Sequence, residues 1–309
     1  MWKEGSVKGV GHLSHLYTRI AAGRETDDIE RWLDREFEAP AAMPLQKATS
    51  GCRLTQEDWG HLVRYLAAQM VRTPAYLLEN LPRWNADASS LLNSTLQKSV
   101  HKLEAAKNAG KAIEVSEAPN SQYLPFRVIT KVQPGQKLGQ LGAKMVVGRG
   151  LWLFNMRHLL SDAGATRLLH EHKWSILAPC EGLTWFTSDD PVIRLNYYEP
   201  GRYDFKGGIA KSGTEILLPL SPHHLLYTRV GYRPPRSGTA LPREQTEAIR
   251  RFLAEHAFRM IFAASPEEDV ARLRPRTADH EAVRYERQKW QDWHAEQAAA
   301  ERELTDSET

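Results

Sequence analysis

Between Trp174 and Val230 five short apolar runs follow one another: Trp174–Ala178, Leu183–Thr187, Val192–Asn196, Glu215–Leu218 and Leu225–Val230. Each is strand-sized, rich in branched and aromatic residues, and bordered by Gly, Pro or Asp. No alternating βαβ pattern accompanies them, which sets aside a parallel, doubly wound fold and predicts an antiparallel sheet.

Helical signals dominate what precedes this region. Thr26-Asp27-Asp28 places an N-cap and two early acids ahead of Ile29, Leu33 and Phe37, spaced by four. Pro40 and Pro44 are then expected to break or re-aim the chain. A second cap, Thr55-Gln56-Glu57-Asp58, opens the clearest helix, in which Trp59, Leu62, Val63, Leu66 and Met70 line one face. Thr73-Pro74 ends or kinks that helix and offers proline at the first position of the next. Pro82 is expected to bend the chain before helical composition resumes over 88–109. Gly110, Pro119, Pro125, Pro134 and Gly135 punctuate a stretch that reads either as a connector or as a small hairpin around Phe126–Val132. Helix is expected again over 138–170. Beyond the sheet, Pro242 opens a helix with Ile249, Phe252, Leu253, His256 and Met260 on one side. After Pro275 a thin stripe of Val283, Trp290 and Trp293 suggests a tail whose first half docks while Ala298 onward frays.

These elements predict an α+β fold: a helical N-terminal half, an antiparallel sheet in the C-terminal half, and packed C-terminal helices. The expected organisation is one domain over 1–273, divided into a helical part (1–110), a connector (110–137) and a helix-plus-sheet part (138–273). A polar, partly disordered helical tail over 274–309 follows. The chain of 309 residues is 41% hydrophobic and 26% charged, which excludes wholesale disorder. Its two cysteines, Cys52 and Cys180, lie far apart, which argues against a disulfide framework or a structural zinc. With no apolar run at the N-terminus and no membrane-length stretch, a cytoplasmic location is expected and a membrane partner is not. The net charge is only +3, and from Arg274 to Thr309 six Lys/Arg face nine Asp/Glu, so the positive balance lies in the body. That bias permits a phosphate-bearing partner such as nucleic acid without demanding one.

The chain carries no Walker loop, GxGxxG, GxSxG, HExxH or EF-hand loop. The most unusual segment is Phe186-Thr187-Ser188-Asp189-Asp190-Pro191-Val192, where two carboxylates sit between apolar strands. Asp189 there either holds a divalent metal or orients a base, with Thr187 and Ser188 as binding residues, or the segment is simply a Ser-Asp-Asp-Pro turn. Arg72, at a helix end, either caps its own carbonyls or grips a carboxylate or phosphate. His170-Glu171-His172 has the spacing of a metal pair only if it is extended. His256 reads as a hydrogen-bonded core histidine, and Trp152, Trp174 and Trp185 as packing residues.

The order of motifs resembles an uncharacterised, mainly bacterial family, domain of unknown function 4238. The residues that carry the likeness are the acidic helix Ile29-Glu30 to Glu36, Arg72-Thr73-Pro74, the strand led by Trp174, Thr187-Ser188-Asp189-Asp190-Pro191-Val192, and Pro219-Leu220-Ser221-Pro222. The resemblance covers about residues 1 to 273. It implies a His-Tyr-Val-Pro motif at the N-terminus, which this chain lacks, so an in-frame upstream stretch encoding it is expected. It also favours Glu36, Arg72 and Asp189 as one converging polar cluster, with Asp189 ahead of Asp190.

Two functions follow as expectations. One is a metal-dependent hydrolase of nucleic-acid phosphodiesters in a phage-defence or mobile-element setting. Asp189 and Glu36 would hold Mg²⁺ or Mn²⁺, and Arg72 would steady phosphate charge. The other is a non-enzymatic binding protein that recognises an anionic ligand through Arg72 and docks a protein partner on its tail.

Overall fold

The computed structural model describes residues 2, 4–5, 15–21, 24–110, 126–131, 140–161, 164–274 and 279–306. In chain order the elements are β1 (Arg19–Ala21), β2 (Arg24–Thr26), α1 (Asp28–Leu33), a π-helical turn (Asp34–Glu38), α2 (Ala39–Thr49), α3 (Gln56–Val71), α4 (Pro74–Asn108), β3 (Phe126–Lys131) and β4 (Gln140–Met145). There follow α5 (Arg149–Leu159), α6 (Ala165–His170), β5 (Ser175–Leu177), β6 (Thr187–Ser188), β7 (Ile193–Glu199), β8 (Arg202–Asp204), β9 (Glu215–Ser221), β10 (His224–Arg229), α7 (Arg243–His256), β11 (Ile261–Phe262), α8 (Val270–Leu273) and α9 (His280–Asp306). The class is α+β, as the strand spacing predicts. No helix among the described residues is long and apolar enough to cross a membrane.

The chain divides into two compact units. The first comprises Met1–Ser14, Glu30–Tyr76 and His158–Val283, and the second His15–Ile29, Leu77–Arg157 and Arg284–Thr309.

The first unit is built on a five-stranded antiparallel sheet in the order β5-β10-β9-β7-β8. The central strand β9 buries both parities. Leu217 joins a core with Leu177, Ile193, Leu195, Leu225 and, from α7, Phe252 and Leu253. Ile216, Leu218 and Leu226, of opposite parity, are buried too, and β9 also packs against α2. Leu183–Thr187 is not one of the five strands. Only its last residue joins a ladder, in β6, which pairs with β11 through Ser188↔Ile261 and Thr187↔Phe262, while β8 takes the edge of the main sheet. Trp185 and Phe186 are buried among core side chains that need no ladder partner.

Helix α3 follows its sequence signal closely. Thr55 accepts from the Asp58 N–H at 3.1 Å, and Asp58 accepts from the Thr55 N–H at 2.8 Å, a reciprocal capping box. Leu62, Val63, Leu66 and Met70 are buried. Lys47, which donates to both Asp58 oxygens at 2.7 and 3.0 Å, and then the Thr55 N–H, pull the Asp58 carboxyl from 3.8 down to about 2. The carboxyl titrates lower when folded, so its contribution is intact above about pH 5 and is lost as the pH falls towards about 2. Asp58→Asn is therefore expected to flatten the dependence of melting temperature on pH across that window and to leave it unchanged near neutrality. An equally steep acid limb in the variant would remove Asp58 from the account.

The three prolines expected to break, re-aim or bend the chain all lie within helices that are not broken at them. Pro40 and Pro44 lie inside α2 and Pro82 inside α4. Pro40 follows closely on the π turn, and the single bonds forfeited at Pro40, Pro44 and Pro82 are absorbed by otherwise continuous ladders. Ahead of Pro40 the ladder widens: the Ala39 N–H reaches back five residues to the Asp34 carbonyl.

In the second unit β1 pairs with β2, and β3 with β4, which makes Phe126–Lys131 part of a hairpin. Pro119, Pro125, Pro134 and Gly135 lie outside the described residues. Helix does not return until Arg149, because Gln140–Met145 is strand. Leu77, Trp84, Leu151, Trp152, Leu153 and Met156 are buried, and Tyr17 lies 5.6 Å from Trp152 between ring centroids. Helix α9 runs unbroken to Asp306. Its buried residues are Gln297, Ala298 and Glu301, beyond the Val283–Trp293 stripe, and Val283 is exposed.

Candidate functional site

Within the first unit two of the unusual sequence motifs meet through one hydroxyl. Arg72 closes α3, its N–H bonded to the Ala68 carbonyl, and Pro74 opens α4 where no donor is needed. Thr73 between them is buried and acts as the N-cap of α4. Its Oγ1 accepts from the Tyr76 N–H at 3.2 Å and donates to Asp190 Oδ1 at 3.0 Å. The carboxylate of Asp190 is thereby held at a helix N-terminus, where the dipole favours negative charge.

The two adjacent aspartates divide the work. Asp189 turns inward, with its side chain only 5% exposed. Its Oδ1 accepts the N–H groups of Phe258, Arg259 and Met260 at 3.1, 3.0 and 3.2 Å. Its Oδ2 accepts the Arg259 N–H at 3.0 Å and Arg259 Nε at 3.3 Å. Successive amides converging on one anion form a nest, and Asp189 fills it with the acceptor capacity of both oxygens in use. Asp190, set in a tight turn where Ser188 Oγ accepts from its N–H at 3.2 Å and donates to its carbonyl at 2.9 Å, faces a different group.

That group is His256, the last residue of α7. Its Nδ1 lies 3.1 Å from the Asp190 carbonyl and its Nε2 lies 3.7 Å from Asp190 Oδ2. A carbonyl only accepts, so Nδ1 carries the proton, and Nε2 in the neutral ring presents a lone pair to a carboxylate. His256 Nε2 and Asp190 Oδ2 thus face each other just beyond hydrogen-bond distance. The ring is fixed by Phe205, edge-on at 5.1 Å, within an aromatic wall where Tyr203 meets Phe252 at 4.7 Å. Burial, with the 2.7 Å bond from Tyr203 to Glu255, pushes the Tyr203 phenol up to about 12, so it stays protonated.

The sequence candidates land as follows. Arg72 is half-buried and pairs with Glu38. Glu36 instead accepts from its neighbour Arg35 at 2.9 Å on the surface. The widened π turn adds a residue to the coil, and the acid that reaches Arg72 lies two positions past Glu36. Asp189 bonds to Phe258, Arg259 and Met260, and not to Arg72. Thr187 is in the β6 ladder and Ser188 serves the turn. Among the described residues no group of three or more His, Cys, Asp and Glu is placed to hold a metal ion. His170 ends α6, and His172 Nε2 donates to the Ile209 carbonyl at 2.7 Å, so the pair does not act as one ligand set. Thr73, Asp190 and His256 were not among the sequence candidates. The available signal was Thr73-Pro74, which reads as cap and first helical residue, but its second bond crosses from the α3–α4 junction to a turn 117 residues away.

The Pro219-Leu220-Ser221-Pro222 motif ends β9 and supports the same region from behind. Its Pro222 carbonyl accepts the Trp185 N–H at 2.8 Å, and Ser221 Oγ lies 2.8 Å from His224 Nδ1. The aspartate turn is thus fixed from the α3–α4 junction and from the segment after α7, while the β9–β10 hairpin holds Trp185 ahead of it. No curated protein and no solved structure gives a significant match to the chain. A family model described as protein of unknown function (DUF4238) matches residues 2–267, and the chain belongs to that family.

Proposed function

We propose that the chain is a cytoplasmic hydrolase of anionic substrates, with nucleic-acid phosphodiesters as the substrate class, and that Asp190 and His256 are its general acid–base pair. The observation that carries this reading is the 3.7 Å approach of His256 Nε2 to Asp190 Oδ2, with Nδ1 already committed to a carbonyl. A histidine held in one tautomer against a carboxylate can take a proton from an attacking nucleophile and return it to a leaving group. Arg72, adjacent to Thr73 in the chain, supplies a guanidinium suited to the oxygens of a phosphoryl group. In this reading Asp189 and Glu36 do not carry the chemistry. Any Mg²⁺ or Mn²⁺ requirement is tested by titration.

A binding reading is favoured by a different observation. The Arg72–Glu38 pair is partly open to solvent, with side chains 28% and 37% exposed, so an anionic ligand can compete with Glu38 for the guanidinium.

The test is turnover of bis(p-nitrophenyl) phosphate and of a labelled single-stranded oligonucleotide, with and without Mg²⁺ or Mn²⁺. Asp190→Asn and His256→Gln are expected to lower kcat by about 10²–10⁴-fold with melting temperatures near that of the parent. Oligonucleotide binding without cleavage under every metal condition, abolished by Arg72→Ala, would replace the hydrolase with the binder.

A further inference from the structure

The second unit contains a buried polar cluster that the proposed chemistry does not use. Arg149, at the start of α5, is completely buried. It forms a two-pronged pair with Glu301 of α9, Nε to Oε1 at 3.1 Å and Nη2 to Oε2 at 2.8 Å. Glu301 Oε2 also accepts the Ile20 N–H of β1 at 2.8 Å, and Gln297 Oε1 accepts the Arg149 N–H at 2.9 Å. The contact is close: a Cβ at Gly148, whose φ is +144°, would collide with the Gln297 side-chain amide. The third prong of Arg149, Nη1, lies 2.6 Å from His294 Nδ1. His294, Gln297 and Glu301 share one face of α9, spaced by three and four. The tail helix is thus fastened to β1 and α5 by polar groups, with Ala298 as the small apolar residue among them.

A guanidinium only donates, so His294 Nδ1 must keep its lone pair and the ring is neutral in the docked state. Its Nε2 carries the proton and faces Glu25 Oε1 of β2 at 3.7 Å. His15, held at a φ of +60°, stacks on the same ring with centroids 4.5 Å apart. The charged and titratable groups around His294 are therefore Arg149 from α5, His15 from the turn before β1, Glu25 from β2 and Glu301 from α9 itself.

We propose that His294 is the trigger of an acid-sensitive latch: a proton on Nδ1 evicts the Arg149 donor and releases α9 from β1 and α5. Burial first, then Arg149 and His15, hold the docked ring below its ordinary value of 6.5, outweighing Glu25 and Glu301. The docked helix therefore binds fewer protons than the released one. Docking is at full strength above about pH 7 and weakens as the pH falls through 6.5, by at most about tenfold per unit.

Two amides report the latch directly, because Ile20 and Arg149 donate to α9 side chains. Hydrogen exchange on the full chain, converted to protection factors, is expected to show both losing protection between about pH 7.5 and about pH 5.5, by up to roughly tenfold per unit below 6.5. His294→Asn, which offers Arg149 an acceptor that does not titrate, is expected to abolish that loss, whereas His15→Gln and Glu25→Gln are expected to retain it. Titration of the His294 ring carbon-bound proton by NMR supplies a readout independent of any variant, with a midpoint expected below 6.5. Unchanged protection in the parent, the same loss in His294→Asn, or a ring midpoint at or above 6.5 would each overturn the latch.

Discussion

Replacing Arg250 with alanine is expected to lower the melting temperature of the first unit by about 6–20 °C, from roughly 3–5 kcal/mol at 2–4 °C per kcal/mol. The Arg250 side chain is 1% exposed. Its Nη2 meets Glu267 at 3.0 Å and Asp269 at 2.7 and 2.8 Å, its Nη1 donates to the Thr184 carbonyl, and its guanidinium lies 5.0 Å over the Phe186 ring. It therefore ties α7 to the segment entering α8 and to the core run Thr184–Phe186. Removal leaves two carboxylates and a carbonyl without their donor and opens a cavity beside Phe186. The acids are less buried than the arginine, 16% for Glu267 and 31% for Asp269, so water can reach them in part and the lower end of the range is favoured. Arg250 Nε has no partner, so the ion network is not fully satisfied even in the parent. It follows that Arg250→Met combined with Glu267→Gln and Asp269→Asn should recover a good part of the loss, since the charges leave together. Equal destabilisation by the triple variant and by Arg250→Met alone would exclude the unpaired carboxylates as the cause. Thermal unfolding by circular dichroism reads all three.

How far the sequence carries the fold depends on where each element's stabilisation lies. Helix α3 is legible because its cap and its buried face are both local: Thr55, Asp58, Leu62, Val63, Leu66 and Met70 lie within one periodic stretch. The antiparallel sheet is legible for the same reason, through short apolar runs and tight borders. Leu183–Thr187 misleads because an apolar run bordered by turns fits any buried extended segment, and Trp185 and Phe186 are buried by α7 and the core rather than by strand pairing. Gln140–Met145 was hidden because Gly142 and two polar residues dilute its alternation. The tail helix docks through Gln297 and Glu301, whose burial depends on Arg149 about 150 positions away and leaves no hydrophobic period to read. The site follows the same logic. The motifs Arg72-Thr73-Pro74 and Ser188-Asp189-Asp190 point to the right place, since Thr73 joins Asp190, but local sequence cannot separate two neighbouring aspartates. What separates them is the chain reversal after α7, which brings the amides of 258–260 to one and the His256 ring to the other.

Asp189→Asn is expected to cost about 3–5 kcal/mol and to impair folding of the first unit, while Asp190→Asn is expected to cost clearly less. The contrast follows from what each carboxylate accepts. Asp189 receives three successive backbone N–H groups and Arg259 Nε in a place from which solvent is almost excluded. A neutral asparagine keeps one oxygen and turns an NH₂ group towards donors, so at least one of those amides meets a donor instead of an acceptor. Arg259, with its side chain 20% exposed, loses the charge that balances it. Bonds to a charged acceptor are worth about 1.5–3 kcal/mol each, and the nest cannot be satisfied by water without opening the turn that leads from α7 into β11. Asp190 by contrast accepts the Thr73 hydroxyl through Oδ1, which an asparagine carbonyl can still do, and faces His256 across 3.7 Å. Paired denaturant titrations of the two variants, fitted with a common slope, measure the difference. A stability loss at Asp190 equal to that at Asp189 would make both aspartates structural and take the acid–base pair with it. The expected separation, with Asp189→Asn poorly folded and Asp190→Asn folded but inactive, assigns scaffold to one carboxylate and chemistry to its neighbour.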